Sequence, residues 1–152
     1  MNKEKLLQLK IGLVLAGLGN LSKIFAVQTF AAKNFKITPE QFTVLAMLYE
    51  NHGVYQRQLS ALTLKDRPNI SRIVSILEKM GYIEKVQDVN VRKVHKLYVT
   101  EEGKKVYDEA LPVILSIWDE TIKGISEEDL EKFHQVHLKL RQNLLSKVNI
   151  QI

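Results

Sequence analysis

The sequence predicts a mainly α fold with a small β-hairpin wing: a winged helix-turn-helix flanked by N- and C-terminal helices suited to dimerisation. Three observations predict it. Between Leu59 and Thr100 a short apolar helix, a turn, a second helix with outward Arg72 and a basic hairpin follow in that order. Residues 54–99 hold nine Lys/Arg against four Asp/Glu, which is the whole formal excess of +5, since the remaining residues balance. Both ends carry long apolar stripes at helical spacing, more than one small domain readily covers. A basic segment in an otherwise balanced chain is the electrostatic footprint of a nucleic-acid contact surface.

At 152 residues the chain suits one domain, large enough to bury a core and small enough for dimerisation to add much stability. Its 45% hydrophobic and 26% charged residues, with three prolines and seven glycines, exclude a disordered chain. The absence of cysteine removes disulfides, thiolate zinc sites, iron–sulfur clusters and cysteine redox switches, and leaves the compartment unconstrained by redox. Residues 1–32 imitate a signal peptide, with Lys3, Lys5 and Lys10 before the apolar run Ile11–Leu18 and small residues at Ala31 and Ala32. Glu4 in the basic region, and Asn20, Ser22 and Lys23 inside the run, favour a long amphipathic helix instead. No uninterrupted apolar stretch approaches the ~20 residues that cross a bilayer, so no membrane span is expected. There is no glycine-rich phosphate loop, cysteine nucleophile, Gly-x-Ser-x-Gly elbow, or histidine–carboxylate motif at metal-ligand spacing. An enzyme is therefore not expected, and no cofactor is implied.

The first helix is expected over about Lys3–Asn34, although Gly12, Gly17 and Gly19 each weaken it by up to ~1 kcal/mol relative to Ala. Its Leu6, Leu9, Leu13, Leu21, Ile24 and Phe25 need a partner surface, and the glycines admit a close backbone approach. The second helix starts with Thr38 as N-cap, Pro39 at the first position and Gln41 completing a capping box, with Gly53 as the stop. A short helix over about Gln56–Leu62 buries Leu59 and Leu62, and Thr63–Arg67 forms the turn. The next helix, about Pro68–Met80, sets Ile70, Ile73, Val74, Leu77 and Met80 on one face and Pro68, Ser71, Arg72, Ser75 and Lys79 on the other.

Gly81 ends that helix. Tyr82–Val86 alternates as a strand, His95–Val99 is a second, and Gln87–Val94 is the loop presenting Asp88, Asn90, Arg92 and Lys93. Thr100 caps a long helix with Glu101 and Glu102 in its first turn, lined by Val106, Leu111, Ile114, Leu115, Ile117, Trp118 and Ile122 and bent near Pro112. Ser126 caps the last helix, with Asp129 in the usual Glu position of a capping box. Its stripe is Leu130, Phe133, Val136, His137, Leu140, Leu144 and Val148. Helices at both ends of a DNA-reading unit suggest an interdigitated dimer.

The site residues follow from chemistry. Small polar side chains interleaved with cations suit a major groove, whereas a merely solvated helix face more often carries Glu–Lys pairs. Arg72 is the candidate base reader, since arginine can bond two guanine acceptors at once. Asn69, Ser71 and Ser75 would add shorter contacts beside Pro68. Arg67, Lys65, Lys79, Arg92 and Lys93 are candidate phosphate partners that set affinity and its salt dependence.

The run Thr38-Pro39-Glu40-Gln41-Phe42-Thr43-Val44-Leu45, Gln58-Leu59, Asp66-Arg67-Pro68-Asn69-Ile70-Ser71-Arg72-Ile73-Val74, Leu77-Glu78-Lys79-Met80-Gly81-Tyr82-Ile83 and Val99-Thr100-Glu101-Glu102-Gly103 resembles the MarR (multiple antibiotic resistance regulator) family over essentially the whole chain. The resemblance implies a single domain over 1–152, with about 1–36 and 101–152 as dimerisation helices and about 37–100 as the DNA-binding winged helix-turn-helix. It also implies a cytoplasmic homodimeric regulator, a repressor, binding a pseudo-palindromic operator on double-stranded DNA and modulated by a small-molecule effector. One departure stands out: family wings commonly carry Asp directly before the wing arginine, and here Val91 precedes Arg92.

Two alternatives remain open in the sequence. A winged helix can serve protein contacts instead of DNA. His134 and His137, three residues apart, admit a metal-responsive regulator, although His137 falls on the apolar stripe and no further ligand is near in sequence. Phe25, Phe30, Phe42 and Trp118 read equally as core or as the lining of an effector pocket.

Overall fold

The computed structural model describes residues 2–91 and 93–148. In order these form α1 (Lys3–Ala32), α2 (Pro39–Glu50), β1 (Val54–Tyr55), α3 (Gln56–Thr63), α4 (Arg67–Lys79), β2 (Ile83–Gln87), β3 (His95–Val99), α5 (Glu101–Ile122) and α6 (Glu127–Leu145). The mainly α fold with one small antiparallel sheet matches the sequence expectation.

The helix ends show why these segments fold where they do. At the end of α1, Asn34 takes a left-handed conformation, its N–H returns to the Ala31 carbonyl, and the Phe35 N–H returns to Phe30. The Phe30 and Phe35 rings then meet at 4.8 Å, an apolar clasp that ends the helix two residues earlier than expected. For α2, the Thr38 hydroxyl accepts from the Gln41 N–H while the Gln41 side chain accepts from the Thr38 N–H, as the capping box requires. Gly81, at φ +76°, closes α4 by the same device as Asn34: its N–H bonds to Glu78 and that of Tyr82 to Leu77. The reciprocal box expected at α6 is not formed, because Asp129 accepts from the Ser126 hydroxyl and not from its backbone.

The core centres on α2. Phe42, Val44, Leu45 and Leu48 pack against Leu59 of α3, Ile70, Ile73, Val74 and Leu77 of α4, Leu97 of β3, and Tyr107, Ala110 and Ile117 of α5. Leu62 departs from the sequence reading. It is 44% exposed, because α3 presents only Leu59 and Ser60 inward. The turn is also shorter than expected, running from Leu64 to Asp66, with Arg67 already in α4.

The sheet order is β1-β3-β2, with both pairings antiparallel; Val54 and Lys85 lie on either side of Leu97. Two-residue β1 is absent from the sequence reading, and β2 begins at Ile83, one residue later than expected. The expected alternation fades beyond Ile83, because the rest of β2 projects away from the core as the wing.

Outside this unit the apolar stripes are largely uncovered. Phe30 is the one buried residue of α1, and α6 has none. His134 and His137 are both exposed, His137 lying on the uncovered stripe as expected. α5 runs unbroken through Pro112 and leaves Trp118 50% exposed. By length and composition, α1 is long and apolar enough to cross a membrane, with an 18-residue window of mean hydropathy 1.4. Asn20, Ser22 and Lys23 still interrupt it, and a helix that packs its apolar face on protein meets the same measure of length and composition.

Candidate nucleic-acid interface

The turn after α3 is made by Leu64, which adopts a left-handed φ of 54° while the Lys65 N–H returns to the Ser60 carbonyl. Asp66 then caps α4 by accepting from the Asn69 N–H at 2.8 Å. The apolar residues at Ile70, Ile73, Val74 and Leu77 anchor one side of α4 in the core, so its other side must face outward. Arg67, Pro68, Ser71, Arg72 and Lys79 are exposed there, with Asn69 and Ser75 half-buried beside them. The expected reading face is thus one continuous surface.

Three of these residues are tied together by one the sequence reading overlooked. Glu40, in the first turn of α2, accepts from Lys65 Nζ at 2.7 Å and from Asn69 Nδ2 at 3.4 Å. Its other carboxylate oxygen lies 3.8 Å from the Arg72 guanidinium. Asn69 Oδ1 in turn accepts from Arg72 at 3.1 Å. The Lys65 hydrogen bond holds the Glu40 carboxyl below the usual carboxylate range against its partial burial, so it stays ionised at neutral pH. An acid at that position reads from sequence as a complement to the helix dipole, and its long-range partners carry no local signal.

The wing has its own anchor. Asp88, expected to be presented by the loop, is instead 6% exposed. It accepts from the Tyr55 hydroxyl at 2.5 Å and from the Asn90 N–H at 2.8 Å, with Lys96 Nζ at 3.4 Å. The Tyr55 hydrogen bond, then that of Asn90, holds the Asp88 carboxyl below its ordinary value, and the same contact raises the Tyr55 phenol. A carboxyl depressed in the folded state stabilises above its unfolded pKa and loses that contribution as pH falls through the folded one. The wing should therefore hold at pH 5, above the ordinary Asp value of about 3.9, and loosen as pH falls through the lowered value of Asp88. Asp88→Asn should remove this anchor at neutral pH, and hydrogen exchange at the Asn90 amide should accelerate about tenfold while Ile70 stays protected. Unchanged exchange at Asn90 would separate wing order from Asp88.

Lys93 stands exposed at the wing with φ +65°, and Arg92 lies outside the described residues. Below the wing a hollow of about 600 Å³ is bordered by Arg57, Lys85, Lys93 and His95. Arg57 and His95 are cationic or titratable groups that the sequence reading did not single out. A second cavity of about 590 Å³ lies between α1, α2 and α5, lined by Val27, Phe42, Met47, Ile114 and Trp118 and edged by Lys23, Glu40 and Lys65. Of the four aromatic candidates, Phe42 and Trp118 face this cavity, Phe30 belongs to the core, and Phe25 is exposed. Among the described residues, no group of three or more His, Cys, Asp or Glu could hold a metal ion.

A helix-turn-helix whose second helix turns a cationic, small-residue face outward beside a basic wing defines a winged-helix DNA-binding protein. Residues 35–93 match the model of the MarR family. Over 135 residues the chain is 29% identical to the HTH-type transcriptional regulator YybA of Bacillus subtilis (strain 168), covering 89% of this chain and 86% of that protein. It is 30% identical over 95 residues to the transcriptional repressor MprA of Escherichia coli (strain K12), covering 62% of this chain and 54% of that repressor. The solved structure of the transcriptional regulator SlyA superposes with a TM-score of 0.75 at 26% identity, covering 93% of this chain and 95% of that one. A MarR family regulator from Listeria monocytogenes, complexed with 26mer DNA, gives a TM-score of 0.73 at 28% identity over 91% of this chain and 88% of that one. The match to the MarR family model and the likeness to these regulators coincide on the winged-helix unit, so the chain is similar to the MarR family of winged-helix transcription regulators.

Proposed function

We infer that the protein is a homodimeric, sequence-specific repressor that sets one α4 helix from each copy into successive major grooves of a pseudo-palindromic operator. The observation that carries this reading is the outward face of α4, where Arg72 is 61% exposed and flanked by Arg67, Ser71 and Lys79. Such a face suits base edges and phosphates together. The DNA-bound Listeria monocytogenes relative supports the mode of binding, and the named repressor from Escherichia coli supports the sign of regulation.

The uncovered stripes of α1, α5 and α6 support the second copy. Leu13, Leu21, Trp118 and Phe133 lie open on these three helices, and a Cβ built at Gly12, Gly17 or Gly19 meets nothing within 4 Å. An apolar surface of this extent is covered by another chain or by lipid. The likeness to MarR family regulators favours a second copy of the chain. A DNA-binding role places the protein in the cytoplasm.

The cavity between α1, α2 and α5 is of the size that takes small molecules. It adjoins both the apolar end helices and, through Glu40 and Lys65, the reading face. A ligand that prefers a spacing of the two α4 helices unsuited to the operator would release DNA, whereas equal affinity for both states would shift nothing.

Selection from a random duplex library at about physiological salt tests the reading. An inverted repeat with half-sites roughly ten base pairs apart is expected, because two α4 helices of a dimer reach the same side of the duplex one turn apart. A single half-site would remove the dimer from the proposal, and no enrichment would point to a protein partner.

A further inference from the structure

We propose that Glu40 is a positioning residue that sets sequence discrimination, fixing Asn69 and Arg72 for base reading at the expense of general duplex affinity. This rests on the DNA-binding reading of the α4 face and goes beyond it, since Glu40 lies on a different helix and does not itself read bases.

The geometry is a relay. The Asn69 amide gives its donor end to Glu40 and its acceptor end to Arg72, while Lys65 shares the same Glu40 oxygen as Asn69 and the other oxygen faces Arg72. With Glu40 ionised, the amide has one acceptable orientation, because turning it over would set its oxygen against the carboxylate and its NH2 against the guanidinium. One N–H of Arg72 is engaged in the relay and the rest of its fork remains free to face a groove. Discrimination grows when a reader is held in one geometry before it meets the DNA.

The same carboxylate is a disadvantage for binding DNA in general. It sets a negative charge on the surface that meets phosphates, and it occupies Lys65, itself a candidate phosphate partner. A residue that helped only affinity would not be an acid here. One that helped only the fold would have no reason to reach Asn69 and Arg72 across helices. Attraction to every duplex is lowered alike, which cancels in the comparison of right and wrong sequences, so the discrimination comes from the ordering of the reading pair.

The test uses the full chain with Glu40→Ala, Arg72→Ala and the double variant, each titrated with the selected operator and with random duplex over a range of salt. Glu40→Ala should bind random duplex about threefold more tightly and steepen its salt slope by about 0.9 as Lys65 is freed. The ratio of operator to random affinity should fall about tenfold, with the loss at the base pairs that Arg72→Ala also loses. The double variant should discriminate no less than Arg72→Ala alone, and the gain in random-duplex affinity from Glu40→Ala should persist in it, as expected of an intact fold in which Glu40 acts on discrimination through Arg72. Glu40→Gln, which keeps an acceptor for Asn69, should raise random-duplex affinity while retaining most of the discrimination, and it carries the test should Glu40→Ala lose its fold on heating. An unchanged ratio in Glu40→Ala, or parallel weakening on both duplexes, overturns the proposal while the DNA reading stands. Wild-type protein that enriches no sequence overturns both.

Discussion

Arg72→Ala should abolish the preference for one duplex over another while leaving attraction to DNA in general nearly intact. The Arg72 side chain is the long cation at the centre of the outward face, and one N–H is engaged by Asn69. The remaining donors can bond two guanine acceptors together, worth about 1–3 kcal/mol against the wrong base, or about 5- to 150-fold per half-site. With two half-sites the loss on an operator compounds. Random duplex offers no matching pair of acceptors in register, so there the variant loses at most one phosphate contact among several, a change of a few fold. Competition titrations of operator against random duplex at one salt concentration measure both quantities. Equal losses on the two duplexes would reassign Arg72 to the phosphates, alongside Arg67 and Lys79.

The α4 face could be read from sequence because both of its requirements are local. Four apolar residues at helical spacing decide which side is buried, and Asp66 and Gly81 mark the two ends within a few positions. The Thr38 capping box is equally local. What could not be read is what forms between distant residues. Glu40 and Arg72 are thirty-two positions apart, and Tyr55 and Asp88 thirty-three, so neither the relay nor the wing anchor leaves a periodic trace. Asp88 therefore reads from sequence as a presented loop acid, although it sits where the Tyr55 hydroxyl can reach it. Leu64 is a different failure. A left-handed residue at a turn is usually signalled by Gly or Asn, and here a leucine adopts it because Lys65 closes onto Ser60 and α4 begins three residues later.

The apolar stripes are legible in the sequence as faces that need cover. Periodicity tells that a helix face seeks cover and does not name the cover. For α4 the cover is α2 and α3, within the same chain. For α6, none of whose residues is buried, the described residues of this chain leave most of the stripe uncovered. Leu62 shows the same limit at small scale: an eight-residue helix with Leu59 and Ser60 already turned inward leaves its next leucine outside.

Gly103→Ala should cost more stability than any exposed substitution in the DNA-reading unit, although alanine is by propensity the better helix former by up to ~1 kcal/mol. Gly103 is the third residue of α5, where the helix crosses the start of the wing. A Cβ there would stand 2.0 Å from the Tyr82 carbonyl oxygen and 2.9 Å from Val99 Cγ1. Neither backbone can retreat freely. The Tyr82 carbonyl accepts from the Thr100 N–H at 3.0 Å, and the Thr100 hydroxyl, which caps α5 by accepting from the Gly103 N–H, donates to the Gly81 carbonyl at 2.6 Å. Opening enough room for a methyl group breaks one of these bonds or pulls β2 away from β3. Overpacking of this kind costs about 1–3 kcal/mol when side chains can adjust, and here one of the clashing partners is backbone. A net loss of about 2 kcal/mol corresponds to a fall in Tm of roughly 4–8 °C for a chain of this size. Thermal unfolding at matched protein concentration reads it, with Glu102→Ala as a neighbour whose side chain is exposed. Equal midpoints for Gly103→Ala and the wild type would show that α5 and the wing can part at no cost. A lower midpoint with a weakened grip on DNA would tie the aim of the wing to the one residue of α5 that has no side chain.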